Sequence, residues 1–215
     1  LGLVLMAVLL MAVLTPAIAG MYRQQMETHY SELAFDQAAI AAKVIDGDRI
    51  AAYYETGEKD DYYDEIAQYL LLVKQNMGLT YFYVVVPEEE VMVYIWDVGE
   101  PGEEGVCDLG DSDAYYGGGQ ELMHAAFSVD AERNILVTNN EEYGYLASAY
   151  VPIFNSAGQP VALASVDISM DMIDAEIQSF VLLALLAICF VALLAICACY
   201  FYIRRTLVRP LKKLH

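Results

Sequence analysis

Few side chains in this 215-residue chain have a type and spacing that could carry catalysis. His29 lies in a helical stretch and His124 in a short one, and neither has a serine, carboxylate or metal-ligand partner at a recognisable spacing. A lone surface or core histidine is the simpler account of both. Acidic runs at Glu88 to Glu90 and from Glu100 through Asp113 raise the question of calcium, but Asp108, Asp111 and Asp113 lack the alternating ligands and glycine of an EF-hand. They read as solvated loop surface, so no metal and no cofactor is expected. What remains is recognition chemistry on strand-like segments. Tyr94 with Trp96, and Ser148 with Tyr150, alternate at the period of a strand, so each pair should share one face. Such a pair either lines a pocket or fills a core, and both readings stand.

Charge narrows the partners. All 30 acidic residues fall between Glu27 and Glu176, and the segment from residue 23 to 178 that contains them holds only six basic residues, Arg23, Lys43, Arg49, Lys59, Lys74 and Arg133. A polyanion would be repelled by this segment, which excludes nucleic acid as its partner.

The 58% hydrophobic content is concentrated outside that segment. Phe180 to Ile203 is uncharged and long enough as a helix, roughly 36 Å, to cross the ~30 Å hydrocarbon layer. Residues 1 to 22 are similarly apolar, and Pro16 is tolerable in a membrane helix, so a second span is expected. A cleaved signal peptide is the other reading, on the small-residue spacing of Ala17-Ile18-Ala19. The chain starts at Leu1 and is expected to be a piece of a longer one. Arg204, Arg205, Arg209, Lys212 and Lys213 follow the second apolar run and place that end in the cytoplasm, with residues 23–178 outside. Cys189, Cys197 and Cys199 lie in the apolar run, so Cys107 has no disulfide partner in the outer segment.

The outer segment opens on a helical pattern continuing the first span, with Tyr30, Leu33, Ile40, Val44 and Ile45 on its apolar positions, broken at Asp46-Gly47-Asp48. A second helix is predicted over Asp61 to Asn76, with Ile66, Tyr69, Leu70 and Val73 buried and Gly78 at its exit. Strands are predicted at Tyr81 to Val86, Val91 to Asp97, Ile135 to Thr138, Tyr145 to Phe154 and Val161 to Ile168. Between the second and third lie a long loop, Val98 to Gly119, and a short helix near Gln120 to Phe127. A last helix from Asp171 runs into the second span. Helices first and antiparallel strands later imply an α+β domain.

The stretch from Tyr143 through Tyr150-Val151-Pro152-Ile153-Phe154, a turn at Asn155-Ser156-Ala157-Gly158, and the ending Val166-Asp167-Ile168-Ser169-Met170 resembles the closing hairpin of a Cache domain, the extracellular PAS-like sensor module of bacterial receptors. The resemblance covers roughly residues 22 to 178. Arg204 to Leu214 is similar to the opening of a HAMP helix, with Leu207, Leu211 and Leu214 at coiled-seam spacing, although a plain juxtamembrane stop-transfer would look alike. The resemblance implies a PAS-like antiparallel sheet with a long N-terminal helix between two transmembrane helices. It divides the chain into a span at 1–22, a sensor domain at 23–178, a span at 179–203 and a relay start at 204–215.

It also implies a pocket on one sheet face. In amine- and amino-acid-binding members the loop after the second strand carries an Arg-x-Trp-Tyr type motif. Asp113-Ala114-Tyr115-Tyr116 stands in that place without the arginine, and Asp167 matches the family's closing aspartate. A carboxylate with aromatics suits a cation, so the implied ligand is an amine or another neutral-to-cationic small molecule. The implied contacts are Tyr115, Tyr116 and Asp167, with Thr138, Ser148, Tyr150, Tyr94 and Trp96 as further lining. Asp167 has an equal alternative role, capping the helix that begins near Asp171 or bonding backbone in the turn. The expected function is a sensor in a membrane receptor, acting as a homodimer because a HAMP-like seam cannot bury itself alone. The output, whether chemotaxis signalling, kinase, cyclase or phosphatase, would lie beyond His215. A membrane-tethered extracellular enzyme and a passive binding protein are the competing readings.

Overall fold

The computed structural model describes residues 2–100, 102–103, 105–129, 133–140 and 143–204. The chain forms two units, one comprising Glu27–Asp171 and the other the chain ends outside it. Helix α1 (Gly2–Val44) starts in the second unit and ends in the first.

The first unit continues with α2 (Gly47–Thr56) and α3 (Asp61–Met77). Asp46 caps α2 by accepting from Asp48 N at 3.0 Å, so the break after α1 is also the start of a new helix, which the sequence pattern alone did not announce. Gly47 is required there because a Cβ would lie 2.3 Å from the Phe154 carbonyl oxygen. Asp60 caps α3 through Tyr63 N at 2.9 Å, and Gly78 ends it in a left-handed conformation.

Six strands follow: β1 (Tyr81–Pro87), β2 (Val91–Asp97), β3 (Ser112–Ala114), β4 (Asn134–Asn140), β5 (Gly144–Phe154) and β6 (Pro160–Ser169). Helix α4 (Gly119–Ala126) lies between β3 and β4, and α5 (Asp171–Ile203) follows β6. The sheet is antiparallel in the order β3-β2-β1-β6-β5-β4, so the first strand pairs with the last in its centre. The five predicted strands are all present. Strand β3 is additional and lies inside the expected loop.

The two sheet faces differ in what covers them. Phe82, Val84, Ala149, Ile153, Ala162, Ala164, Val166 and Ile168 pack against α1, α2 and α3. Here the expected stripe of α1 needs correction. Ala34, Ala38 and Ala41 are buried, whereas Ile40 and Val44 are exposed. Small residues at i, i+4 and i+7 let the helix lie close to its neighbours; Tyr30, Leu33 and Ile45 pack on the core as expected, and only Ile40 and Val44 of the expected stripe turn outward. On α3, Tyr63, Ile66 and Leu70 are buried as an amphipathic stripe, with Tyr69 and Val73 partly covered. The opposite sheet face carries Tyr83, Val85, Met92, Tyr94, Tyr150 and Leu163, covered in part by α4 through Met123 and Ala126.

In the second unit the start of α1 meets α5: Arg23 donates to Asp174 at 2.6 Å and Tyr22 to Glu176. Among the described residues one helix, Asp171–Tyr202, is long and apolar enough to cross a membrane, and none of the apolar window within it is buried. Residues 2–22 are helical with Leu9, Leu10 and Val13 exposed, but the expected second span does not meet the same standard. The relay start at 205–215 lies outside the described residues.

Candidate functional site

A cleft of about 280 Å³ opens on the sheet face away from α1–α3. Tyr81 and Tyr83 of β1, Met92, Tyr94 and Asp97 of β2, and Asp167 of β6 line it from the sheet. Gly105, Cys107, Asp113, Tyr116 and Tyr143 line it from the connecting segments. Among the described residues three carboxylates and no basic side chain line it.

Strand pairing explains how these side chains meet. Tyr83 is opposite Ser165 and Ser165 opposite Tyr150, so all three project on one face. Two residues along, Tyr81, Asp167 and Ser148 form the next row on that face. On β2 a bulge between the Val84 and Val85 pairings leaves Val85 opposite Tyr94 and Val84 opposite Trp96. One strand position is thereby gained, and Asp97 emerges opposite Tyr83 on the cleft face.

Asp167 is 2% exposed. Its Oδ2 accepts from Tyr116 OH at 3.2 Å, while Oδ1 has no hydrogen-bond partner. Burial pushes its carboxyl up to about 6; the nearby Ser148, Tyr116 and Tyr83 hydroxyls pull it down and the charge on Asp97 adds to the rise. Ser148 and Tyr83 act on it by proximity and polarity, since neither hydroxyl is in hydrogen-bonding geometry to any partner. Asp97 is half-buried and accepts from Cys107 N at 2.9 Å; burial raises its carboxyl too. Burial raises the Cys107 thiol, as do Asp97, Asp111 and Asp113, which makes it a poor nucleophile at neutral pH. The Tyr94 and Tyr116 hydroxyls are likewise raised by burial.

Among the described residues the buried side-chain polar atoms without a partner are Tyr83 OH, Thr138 Oγ1, Ser148 Oγ, Tyr150 OH, Ser165 Oγ and Asp167 Oδ1. By strand register all six belong to the cleft-side face. Buried orphans are rare in native proteins, and their concentration marks a place where a water, ion or ligand completes the bonding.

The sequence-based candidates separate accordingly. Tyr94, Tyr116 and Asp167 line the cleft, and Ser148 and Tyr150 stand behind it in the same rows. Tyr115 turns to the β1–β2 hairpin, donating to the Glu88 carbonyl at 2.6 Å and packing on His124. Thr138 is on the cleft-side face but not at the cleft. Trp96 does not share a face with Tyr94, because the bulge turns it to the helices: it stacks on Tyr63 at 5.0 Å and donates Nε1 to the Tyr63 carbonyl at 3.1 Å. The helix-cap alternative for Asp167 is not what its side chain does; Asp171 accepts from Tyr145 N at 2.9 Å and from Ser169 Oγ at 3.1 Å instead. Gly144 makes room for that contact, since a Cβ would lie 2.9 Å from Asp171 Oδ2.

Tyr81, Tyr83, Met92, Asp97, Cys107, Asp113 and Tyr143 complete the lining. The alternation of Tyr81 and Tyr83 with apolar residues was the signal available for two of them. Asp97 had none, because a bulge is not visible in the alternation. Among the described residues no group of three or more His, Cys, Asp or Glu side chains is placed to hold a metal.

No family model matches the chain, and no curated protein matches it. Similar solved structures include the ligand-binding domain of the Campylobacter jejuni chemoreceptor Tlp3 in complex with 4-methylisoleucine, at 10% identity and a TM-score of 0.42, covering 76% of this chain and 59% of that one. The extracellular domain of the protein named histidine kinase mmHK1S-Z2 has 13% identity and a TM-score of 0.40, over 76% of this chain and 62% of that one. An IclR transcriptional regulator from Alicyclobacillus acidocaldarius is similar at 16% identity and a TM-score of 0.33, over 66% and 68%. The chain thus spans about three fifths of the two sensor domains. These are likenesses in the arrangement of helices and sheet, and they extend to a transcription regulator as well as to sensors.

Proposed function

We propose that this chain is the sensing front end of a bacterial membrane receptor. In this reading residues 23–178 are an extracellular Cache-type domain, 1–22 and 179–203 cross the membrane, and 204–215 begin a HAMP-like relay in the cytoplasm of a homodimer. The observation that carries it is the confinement of six unpartnered buried polar atoms to one sheet face, around a cleft that holds a nearly inaccessible carboxylate. A face built only for stability would satisfy or omit those groups. The exposed apolar length of α5 and the five cations after it support the membrane placement and its direction.

The ligand is a small cation, an amine in the first instance. Asp167, Asp97 and Asp113 supply negative charge, and the rings of Tyr94, Tyr116 and Tyr143 supply faces that attract a cation. An α-amino acid is a poorer fit, because among the described residues no basic side chain lines the cleft to take its carboxylate. Asp167 is on β6, which ends two residues before α5 begins, so a ligand that binds one strand arrangement better than another would act at the base of the membrane helix. The test is a thermal-shift screen of the full chain in nanodiscs against amines and amino acids, with reporters fused near Lys59 and after His215 to read topology. Stabilisation by amines, lost in Asp167→Asn, is expected, with the Lys59 reporter outside. A cytosolic Lys59 reporter, or an amine response that survives Asp167→Asn, would overturn the reading.

A further inference from the structure

The amine reading leaves open why the cleft carries more than one carboxylate. A single ammonium group would be matched by Asp167 alone. Asp97 is a second acidic group on the same face, brought there by the β2 bulge, and it also lines the cleft. Lys74, whose charge reaches Asp97, and Lys59 are both paired with other groups. Lys74 Nζ donates to the Val98 carbonyl at 2.9 Å and to Glu103 at 3.0 Å, and Lys59 pairs with Asp108. Neither lysine borders the cleft. Among the described residues no basic side chain lines the cleft beside Asp97 and Asp167, and each carboxyl is held above its ordinary range, chiefly by burial, for Asp97 against the pull of the Lys74 charge.

The register fixes the separation. Asp97 is opposite Tyr83 and Asp167 opposite Tyr81, so the two flank β1 two residues out of step. With strands about 4.8 Å apart and a rise of about 3.4 Å per residue, their backbones lie on the order of 12 Å apart. Both side chains rise from the same sheet face, so their carboxylates are separated by about the same span, which a chain of about four or five carbons between two ammonium groups bridges once a hydrogen bond of about 2.8 Å is added at each end. The floor between the two carboxylates is Tyr83, which suits the apolar middle of such a molecule, and Asp167 Oδ1 is without a partner.

Resting on the amine reading, we infer that the cleft is built for a dication, an α,ω-diamine whose two ammonium groups are taken by Asp167 at one end and Asp97 at the other. Both Asp97 and Asp113 accept one backbone hydrogen bond, but Asp113 is exposed where Asp97 is half-buried, so it stands at the rim and is not the second anchor.

The experiment is calorimetric titration of the full chain in nanodiscs with 1,4-diaminobutane and n-butylamine, reading the ratio of their affinities. A diamine preference of at least about 10-fold is expected, well beyond the statistical factor of two for its identical ends. In Asp97→Asn the ratio should collapse to within about two- to threefold. In Glu65→Gln, which removes an exposed carboxylate away from the cleft, the ratio should hold. Equal affinities in the wild type, with n-butylamine still bound, would overturn the dication inference and leave the amine reading standing. Binding of neither compound would overturn both. A preference that survives Asp97→Asn but is lost in Asp113→Asn would overturn the assignment of the second anchor to Asp97.

Discussion

The two faces of the sheet are made from alternate residues of the same strands, yet they are finished differently. On the helix-covered face the aromatic cluster of Trp96, Tyr63 and Tyr53 is closed. Trp96 Nε1 reaches the Tyr63 carbonyl, Tyr53 OH donates to Asp60 at 2.7 Å, and the rings pack edge-on or stacked. On the cleft-side face, Tyr83, Tyr150, Ser148, Ser165 and Asp167 are as deeply buried and leave polar atoms unmatched. Burial is similar and satisfaction is not. The difference teaches that, in this domain, burial does not distinguish the candidate site from the core; the hydrogen-bond ledger of buried atoms does.

Substitutions that break this contrast should fall in a definite order. Trp96→Ala removes the centre of the closed cluster and is expected to cost about 3–5 kcal/mol in chemical denaturation, with the cleft's ligand response surviving wherever the fold does. An equal loss of binding and stability would show that the faces are not separable. Asp167→Asn should do the reverse. Its carboxyl is raised by burial to about 6, above its unfolded range near 3.9, so the folded state favours the protonated form. The stability this provides is present below about pH 4 and is lost as pH rises through 6. The variant should therefore be more stable than the wild type by roughly 1–3 kcal/mol at pH 7.5, with no advantage at pH 4. Denaturation curves at the two pH values measure this, and a destabilised variant at pH 7.5 would assign Asp167 to structure. Tyr83→Phe deletes an unpartnered hydroxyl and should change apo stability by no more than about 1 kcal/mol, on the stabilising side. Ser165→Ala, which also removes an orphan, should change it by about 0.5 kcal/mol or less. A marked loss in either would mean that the hydroxyl has a partner in solution.

The strands, α3 and α4 were legible because alternation, caps and glycine exits are local signals. Asp46 also signalled the end of α1, but α2 was missed because a cap at a break can equally open a turn. The apolar face of α1 was legible at Tyr30, Leu33 and Ile45 but not at Ile40 and Val44, where size is no guide to burial, while Ala34, Ala38 and Ala41 are the residues that permit close approach. In the cleft, Asp167, Tyr116 and Tyr94 came from the family resemblance and from alternation. Trp96 was placed on the wrong side and Asp97 overlooked for one reason, the β2 bulge, which shifts facing by one residue and leaves no compositional trace.

The central claim, that a carboxylate in the unsatisfied face receives a cation, is tested most directly by titrating the full chain in nanodiscs with n-butylamine across pH 4.5 to 8. Saturable binding should be strong above about pH 6, weaken as Asp167 protonates below it, and be absent throughout in Asp167→Asn. Affinity that is indifferent to both pH and this substitution, or no binding at any pH, would contradict the account.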